Sequence, residues 1–451
     1  MNGRFSVAAS LAILSFAGNA AAQQAWLSDR RYGEGIGIKT GNFELHPSLA
    51  AEFGYDSNYY QRAEGEFGGV IDAWRLRITP SISLSTLSSR RAGSEAVGAP
   101  PMLTFDANAF FAYSEIFGEG IEPPRSFNAG AGANAEIAPQ RPFGGDLNVN
   151  YLRSGEPSNL PGADQAFDRS TTDAGVGVSW RPGGGLLDWR LGYAFQYNQF
   201  EENAYDELNN FQHSIETRGR WRFLPRTALR YDAKYTMIRY QVNEIQPDGE
   251  YVEARVGLAG LLTSQLAFLA MVGWTASFYE GPASAFAQNY DDFVGHGEIK
   301  WFTNPASEPD SVTTGLSSIA AGYLHDFSNS YLGSFYKRDR GYLNANYFLG
   351  GVFLTSLEVG FARLNFPTIS DEVGSFAQNR IDAELFAEYR LSDTFGVNLS
   401  LLYDQAFRPT GDAADGILVS GDPDNPDDDP PVYDDLRYSR FQALLGLRMF
   451  W

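Results

Sequence analysis

The chain alternates apolar and polar residues with a period of two from Phe43 onward. In the segment 43–55, Phe43 and Leu45 fall on one phase, whereas Glu44 and His46 fall on the other. Because successive side chains of a β-strand point to opposite faces, this pattern predicts a strand with one apolar and one polar face. The segment is longer than the roughly 5–6 residues of an ordinary strand, and it is long enough for the roughly 9–11 residues that a tilted membrane strand needs.

The next segment repeats the pattern and fixes its register. Trp74, Leu76 and Ile78 alternate with Arg75 and Arg77. A slip by one residue would turn both arginines toward the apolar side, which costs roughly 2–4 kcal/mol for each arginine at the middle of a lipid bilayer. We therefore expect every strand to keep its charges on one face and its apolar residues on the other.

Carried along the chain, the alternation predicts eighteen strands. The predicted segments are 43–55, 69–86, 102–117, 126–138, 144–153, 170–181, 186–199, 210–223, 226–242, 250–262, 265–280, 289–303, 311–325, 331–349, 351–364, 379–390, 394–407 and 436–451. Alternation is weakest in 311–325, and 331–349 is compatible with two short strands. Sixteen strands is the alternative count.

The predicted connections alternate between short and long. The short ones are 138–143, 181–185, 224–226, 263–265, 350 and 391–393, and the long ones, after odd-numbered strands, are 56–68, 154–169, 200–209, 365–378 and 408–435. This alternation is typical of a membrane meander with turns at one rim and loops at the other, which places both chain ends on the periplasmic side. The stretch 87–101 is an exception, because it is long where a turn is expected.

The first 22 residues have the features of a cleaved export signal. Arg4 supplies a positive charge, residues 7–17 an apolar core, and residues 20–22 a small-residue cleavage site. The alternative, a membrane-anchoring helix, needs roughly 20 apolar residues, more than this run contains. We expect a signal peptide over 1–22, a short periplasmic segment over 23–42 and a barrel over 43–451.

One other apolar run, 257–274, approaches the length of a helix. Thr263, Ser264 and Gln265 lie at its centre, so two strands joined by a turn fit it better.

Amphipathic strands that cross lipid must form a closed sheet, because an open sheet leaves the backbone groups of its two edge strands unpaired. The predicted fold class is therefore an all-β, transmembrane, antiparallel up-and-down β-barrel. Aromatic residues that fit its two interface girdles are Trp74, Trp180, Trp189, Trp221, Phe223, Trp274, Phe278, Trp301 and Tyr403.

Composition excludes several functional classes. The chain has no cysteine, 55 acidic against 34 basic residues and a net charge of -21. These values exclude a disulfide scaffold, a zinc domain and a basic nucleic-acid binder.

We expect no catalytic residue, no cofactor and no metal, and two alternatives stay open. One is a protease at the barrel rim built from Asp291, Asp292 and His296, and the other is a calcium site in the aspartate-rich segment 408–435, whose spacing does not match an EF-hand loop.

The polar phase of the predicted strands carries charges of both signs. A barrel of roughly 16–18 strands is wide enough to hold an aqueous channel. The predicted pore-lining residues are Arg75, Arg77, Arg190, Arg218, Arg220, Arg222, Arg230, Lys234, Arg338, Arg340, Arg380, Arg390, Asp188, Glu216, Asp382 and Glu384. One interpretation is a lattice of ion pairs that stiffens the wall. The other is a constriction that selects anionic solutes or polymer, with Arg218, Arg220 and Arg222 as its densest basic row.

Three passages carry a family resemblance. They are GIKTGNFELHP at 37–47 followed by GYDSN at 54–58, SYLGSFYKRDRGY at 330–342, and the alternating C-terminus with Leu445, Leu447, Met449 and Trp451. The first two resemble the second beta-barrel porin family, outer-membrane barrels often associated with exopolysaccharide or capsule systems. The third is similar to the C-terminal insertion signal of outer-membrane barrels.

The resemblance implies a bacterial outer-membrane conduit that participates in the export of surface polysaccharide. Its implied partners are a periplasmic export component and an anionic polysaccharide, besides outer-membrane lipid and lipopolysaccharide, with no role for nucleic acid. Two other functional classes stay open, a general or solute-specific uptake porin and a non-conducting surface or adhesive barrel.

Overall fold

The computed structural model describes residues 37–64, 69–86, 102–121, 123–155, 168–242, 246–280, 287–303, 317–330, 334–349, 352–368, 374–412, 417–420, 432–434 and 436–451. These residues form one 20-stranded sheet and a separate hairpin of Ile417–Ser420 with Val432–Asp434. Two members of the large sheet are very short, Ile38–Thr40 and Thr410–Gly411. The other 18 build the barrel.

The barrel strands have 12 to 15 residues each. In chain order they are β1 (Phe43–Asp56), β2 (Ala73–Thr86), β3 (Leu103–Phe117), β4 (Arg125–Ile137), β5 (Phe143–Ser154), β6 (Arg169–Trp180), β7 (Leu187–Phe200), β8 (Asn210–Leu224), β9 (Thr227–Tyr240), β10 (Asp248–Leu261), β11 (Leu266–Glu280), β12 (Asp291–Phe302), β13 (Ser318–Asn329), β14 (Phe335–Leu349), β15 (Phe353–Phe366), β16 (Phe376–Arg390), β17 (Phe395–Ala406) and β18 (Tyr438–Phe450). Within the part of the chain that the structure describes, no helix is long and apolar enough to cross a membrane.

Each strand pairs antiparallel with its neighbours in the sequence, and the last strand returns to the first. β18 pairs with β1 from Ser48 opposite Phe450 to Asp56 opposite Gln442, which closes the sheet. Gly54 lies in this seam, where a Cβ atom would collide with the carbonyl oxygen of Ala443, so the two strands approach closely only because the residue is glycine. The predicted closed antiparallel barrel of eighteen strands is confirmed.

The two phases of each strand differ in exposure as the alternation predicts. On β1, Leu49 and Phe53 are exposed, whereas Glu52 and Asp56 are buried. In a closed barrel one face of the sheet points outward and the other inward, so the exposed apolar phase is the outer surface and the charged phase is the inner wall. Seven of the aromatic residues predicted for the girdles are exposed on the outer surface, namely Trp74, Trp180, Trp221, Phe223, Trp274, Phe278 and Trp301.

The largest boundary error concerns β13. The strand begins at Ser318 and ends at Asn329, whereas the sequence pattern predicted 311–325; residues 311–316 lie outside the described residues. Pairing continues past the predicted end because His325 lies opposite Asp339, Asp326 opposite Arg338 and Phe327 opposite Lys337. The segment 335–349 forms one strand, so the alternative of two short strands is wrong and the count of sixteen falls with it.

The connections separate the two rims of the barrel. We call the rim that contains the connections after even-numbered strands the turn rim and the opposite one the loop rim. At the turn rim β8 and β9 are joined by two residues only, Pro225 and Arg226, with Leu224 opposite Thr227. Besides the expected long connection between β2 and β3, a second one joins β12 to β13 at this rim, and it was missed because the start of β13 was placed too early.

Candidate functional site

The charged inner wall is the candidate site. All sixteen residues predicted to line a pore lie on the inner phase of their strands, as the cross-strand register shows. The structure places them in three surroundings, which are a buried group where the barrel closes, a set of bridges that span two strands, and a basic group on β8 and β9.

Buried ion pairs occupy the closure seam. Arg77 of β2 binds Glu52 of β1 at 2.7 Å, with side chains only 1% and 3% exposed. Glu52 also accepts a hydrogen bond of 2.8 Å from Asn398 of β17. Arg440 of β18 donates to Asp56 of β1 at 3.0 Å. Removing one partner of such a buried pair strongly destabilises a protein, so these contacts tie β1 to β2, β17 and β18.

The same network continues onto β16. Glu388 is fully buried and binds Arg448 of β18 at 2.7 Å and Arg390 of its own strand at 3.2 Å. Both guanidinium groups also lie over the ring of Phe450, at 5.2 and 5.3 Å from its centroid. Arg77 and Arg390, predicted as pore-lining, are therefore tied into the wall at the seam.

Three long side chains cross a whole strand over a glycine. Arg190 of β7 passes over Gly177 of β6 and binds Asp146 of β5, with Nε to Oδ1 at 2.8 Å and Nη2 to Oδ2 at 2.6 Å. The same guanidinium also binds Glu216 of β8. A Cβ atom on Gly177 would lie 2.5 Å from the Arg190 Nη2 atom, so the glycine provides the space for the bridge.

The second bridge repeats this arrangement on β14 to β16. Arg340 passes over Gly360 of β15 and binds Asp382 at 2.6 Å, and it also binds Glu358 at 2.8 Å. The Arg340 side chain is 19% exposed, whereas that of Glu358 is 40% exposed. The arginine thus lies against the wall and its carboxylate partners face the lumen. Glu384 lies directly opposite Glu358 in the register, which adds a further carboxyl group to this patch.

The third bridge is made by a tyrosine. Tyr342 of β14 covers Gly322 of β13 and reaches β12, where its hydroxyl donates to Glu298 at 2.6 Å and lies 2.9 Å from the Nε2 atom of His296. None of these bridges was predicted from the sequence. The sequence feature that marks such a bridge is a glycine on the inner phase of one strand. One neighbouring strand carries a long polar side chain, and the other neighbouring strand carries a hydrogen-bond acceptor.

The basic row of β8 is embedded among carboxylates. Arg218 lies opposite Asp232 of β9, and Arg220 lies opposite Asp188 of β7. Arg218, Arg220 and Arg222 all have interaction partners. On β9, Lys234 lies between Glu216 and Glu253 in the register and is exposed. The lattice interpretation therefore describes this sector well, and the selective constriction remains a proposal.

Charged groups also surround the loop rim outside the lumen. Arg153, on the outer phase of β5, binds Glu201 at 2.7 Å and lies 3.5 Å from the ring centroid of Phe127. It also binds Asp168, just before β6. Burial raises the pKa of the Asp168 carboxyl above its usual value, and the nearby Glu201 adds to the rise, although Arg153 opposes it.

The residues of the alternative protease are engaged separately. Asp291 accepts a hydrogen bond from the Trp274 indole, Asp292 binds Lys337 at 2.7 Å, and His296 binds Tyr342. Among the described residues, no group of three histidine or acidic side chains is arranged to hold a metal ion. Most of the aspartate-rich segment 408–435, to which the calcium alternative refers, lies outside the described residues.

Comparisons with known proteins give similarity at the level of solved structures. No protein-family model matches the chain, and no curated protein matches it. OpdK of Pseudomonas aeruginosa, solved with vanillate, is 10% identical with a TM-score of 0.45, covering 90% of this chain and 99% of that chain. OccAB3 of Acinetobacter baumannii is 11% identical with a TM-score of 0.44, covering 91% and 100%. A BenF-like porin from Pseudomonas fluorescens Pf-5 is 10% identical with a TM-score of 0.46, covering 91% and 99%. Similarities of this size assign no role to any residue of this chain.

Proposed function

We propose that the chain is a passive channel for small polar solutes in the bacterial outer membrane. The observation that carries this proposal is the closed barrel of eighteen strands with an apolar outer surface and a charged inner wall. Closed barrels and helices are the structures that satisfy every backbone group within lipid, and a barrel of roughly 16–18 strands is wide enough to hold water. The export signal expected over 1–22 supports the outer-membrane location.

The inner wall favours small solutes over a bulky polymer. Next to the closure seam, inner-phase side chains such as Arg75, Arg77 and Asn398 are almost completely shielded from solvent. The solvent-exposed part of the wall therefore covers less than the full circumference. More accessible charges lie on other strands, for example β8 and β16, where the carboxylates of Glu216 and Asp382 face the lumen.

Two sectors of the inner wall differ in the sign of their excess charge. The inner phase of β8 and β9 carries Arg218, Arg220, Arg222, Arg230 and Lys234 against Glu216 and Asp232, and that of β15 and β16 carries Glu358, Asp382, Glu384 and Glu388 against Arg380 and Arg390. These pairs of strands are seven apart in a barrel of eighteen, which places them on nearly opposite walls. A field across the lumen orients solutes that carry a charge or a large dipole, and this is the basis for proposing selectivity.

The test is conductance of the purified mature chain in planar bilayers. We expect discrete ion-conducting steps from protein whose electrophoretic migration changes on heating, as a folded barrel requires. Liposome swelling with neutral sugars of increasing size then gives the size limit, which we expect to exclude polymers. A folded, inserted barrel that conducts no ions would overturn the proposal and favour a surface or adhesive role.

A second candidate function is participation in the export of surface polysaccharide. It is supported by the resemblance of 37–47, 54–58 and 330–342 to the second beta-barrel porin family. Its partners would be a periplasmic export component and an anionic polysaccharide. Deletion of the gene, with complementation, tests it by comparing surface, secreted and periplasmic polymer. Loss of surface polymer that complementation restores would establish this role, whereas unchanged polymer would leave solute passage as the function.

A further inference from the structure

A band of uncharged amides crosses the inner wall from β3 to β8. In the cross-strand register, Asn108 of β3 is followed on the next five strands by Gly132, Asn150, Asp173, Gln196 and Gln212. Asn148 and Asn198 lie on the same face of β5 and β7, two residues away from Asn150 and Gln196. We call Asn108, Asn148, Asn150, Gln196, Asn198 and Gln212 the amide band, and each of them is half-buried. Their exposed parts face the interior of the barrel.

The amide band separates two charged parts of the wall. Arg169 of β6 lies nearer the loop rim, whereas Asp146 of β5 and Glu216 of β8 lie nearer the turn rim. In the register rows between Arg169 and Asp146, the described inner wall of β3–β8 has no lysine or arginine. A solute at this height therefore meets hydrogen-bonding groups and no fixed positive charge.

The two carboxylates within these rows are already engaged by neighbouring amides. Asn134 of β4 donates a hydrogen bond of 3.2 Å to Asp106 of β3. Gln196 of β7 donates one of 2.7 Å to Asp173 of β6. The negative charges are thus partly satisfied within the wall, and the amides dominate the surface that a solute can touch.

The amides of the band retain unused hydrogen-bonding capacity. Asn198 and Gln212 both donate to the Oδ1 atom of Asn210, at 3.1 and 3.2 Å. A side-chain amide has two N–H donors and an oxygen with two lone pairs, so one such bond leaves further donors and acceptors for a solute. The Oδ1 atoms of Asn108 and Asn150 have no hydrogen-bond partner among the described residues. The band can therefore both donate to a solute and accept from it.

We propose that the amide band is a binding subsite for neutral, hydroxyl-rich solutes such as small sugars and polyols. A hydroxyl group both donates and accepts, so the adjacent hydroxyls of one solute match the mixture of donors and acceptors on neighbouring amides. Side chains on one face of a sheet are spaced about 4.8 Å between strands and about 7 Å along a strand, so one small sugar reaches several of them. An anion would lose hydration there without meeting a base. The proposal rests on the proposed channel function and names a solute class for it.

The test compares two matched double variants in planar bilayers. The band variant is Asn148→Leu with Asn150→Leu, and the control is Asn344→Leu with Asn346→Leu, a half-buried pair with the same spacing on the inner face of β14. Heat-modifiable migration first establishes that each protein is folded. Glucose is then added, and the concentration that half-saturates its effect on the ion current is measured. We expect this concentration to rise roughly threefold to hundredfold in the band variant, as the loss of one or two hydrogen bonds implies, and to stay unchanged in the control.

Two further measurements separate hydrogen bonding from a change in pore size. Tetraethylene glycol, which is similar in size to glucose but has few hydroxyl groups, should affect the ion current of all three proteins equally. Gln212→Met, a single change of similar length within the band, should weaken glucose binding roughly twofold to tenfold. This variant also carries the test if the leucine pair does not fold.

The outcomes distinguish the subsite from the channel. Equal glucose binding by a folded band variant and the wild-type chain overturns the subsite, and so does an equal loss in the control. A wild-type chain that conducts ions but responds to glucose no more than to tetraethylene glycol overturns the subsite and leaves the channel standing. A wild-type chain that does not conduct contradicts the proposed channel and the subsite with it.

Discussion

Arg190 of β7 binds Asp146 of β5 across the intervening strand, directly over Gly177 of β6. Cross-strand pairing normally joins residues on adjacent strands, about 4.5–5.5 Å apart at their Cβ atoms. Here the missing side chain of the glycine lets a guanidinium reach one strand further. Arg340 and Tyr342 make the same kind of crossing elsewhere on the inner wall, so the wall is braced over three strands at a time.

Replacing Gly177 should therefore weaken the barrel. In Gly177→Ala the new methyl group would lie 2.5 Å from Arg190 Nη2 and 2.6 Å from Asp146 Oδ1, so the bridge must move. Overpacking of this kind costs about 1–3 kcal/mol, and we expect the free energy of unfolding to fall by that amount. Urea unfolding in detergent, followed by tryptophan fluorescence, measures it.

Gly341→Ala is the matched control, because a Cβ atom there meets nothing within 4 Å. Both changes add one methyl group to a barrel strand. Equal stability of the two variants would show that Arg190 relocates without cost, and the glycine bridge would then have no structural role.

The closure seam should depend on its buried ion pair. In Arg77→Met the Glu52 carboxylate remains buried without this partner, a change that typically costs about 3–5 kcal/mol. We expect Arg125→Met, which removes a base exposed to solvent, to cost only about 0–1 kcal/mol. Urea unfolding of both variants, with loss of heat-modifiable migration as a second readout, distinguishes the two sites.

The double variant Arg77→Met with Glu52→Gln completes this test. It removes both charges, so it should recover part of the stability that Arg77→Met alone loses. If Glu52→Gln lowers the free energy of unfolding of Arg77→Met by as much as it lowers that of the wild-type chain, the two residues are not coupled. The seam would then depend on other contacts.

The alternation of residues was sufficient to predict the strands and their faces. Leu49 and Glu52 of β1 lie on the faces that their positions predict, because a period of two translates directly into opposite sides of a strand. The closed barrel followed from the membrane requirement that every edge be paired. Neither step needed any knowledge of which residues touch.

Contacts across strands could not be predicted in this way. The pattern of one strand does not fix its stagger against the next, so the pairing of Arg190 with Asp146 or of Tyr342 with Glu298 was not accessible. The start of β13 was misplaced because alternation is poor over 311–325, so the register of this strand is defined by its pairing with β12 and β14 and not by its own pattern. The burial of Arg77 likewise depends on its pairing with Glu52 where β1 and β2 meet.

Tyr342→Phe tests the bridge between β12 and β14. The change keeps the ring over Gly322 but removes the hydroxyl that binds Glu298 and His296. A hydrogen bond to a charged group contributes about 1.5–3 kcal/mol, and we expect a loss of stability in that range. The thermal unfolding of Tyr342→Phe is compared with that of Tyr347→Phe, a change on the outer surface. A loss no larger than that of Tyr347→Phe would mean that the hydroxyl contributes nothing to stability.

The basic row of β8 provides the test of selectivity. Replacing Arg218, Arg220 and Arg222 with glutamine removes three positive charges from one wall and leaves Glu358, Asp382 and Glu384 on the nearly opposite one. If these arginines set the potential of the lumen, the ratio of anion to cation permeability should fall severalfold, measured as a shift of the reversal potential in a potassium chloride gradient.

The opposite change supplies the control for this shift. Glu358→Gln with Glu384→Gln should move the reversal potential in the other direction, because it removes negative charge from the facing wall. Arg218 and Arg220 lie opposite Asp232 and Asp188, so the arginine variant must first be shown to fold by its heat-modifiable migration. A folded variant with an unchanged reversal potential would mean that these arginines act only as structural partners of neighbouring carboxylates, and solute selection would then have to arise elsewhere on the wall.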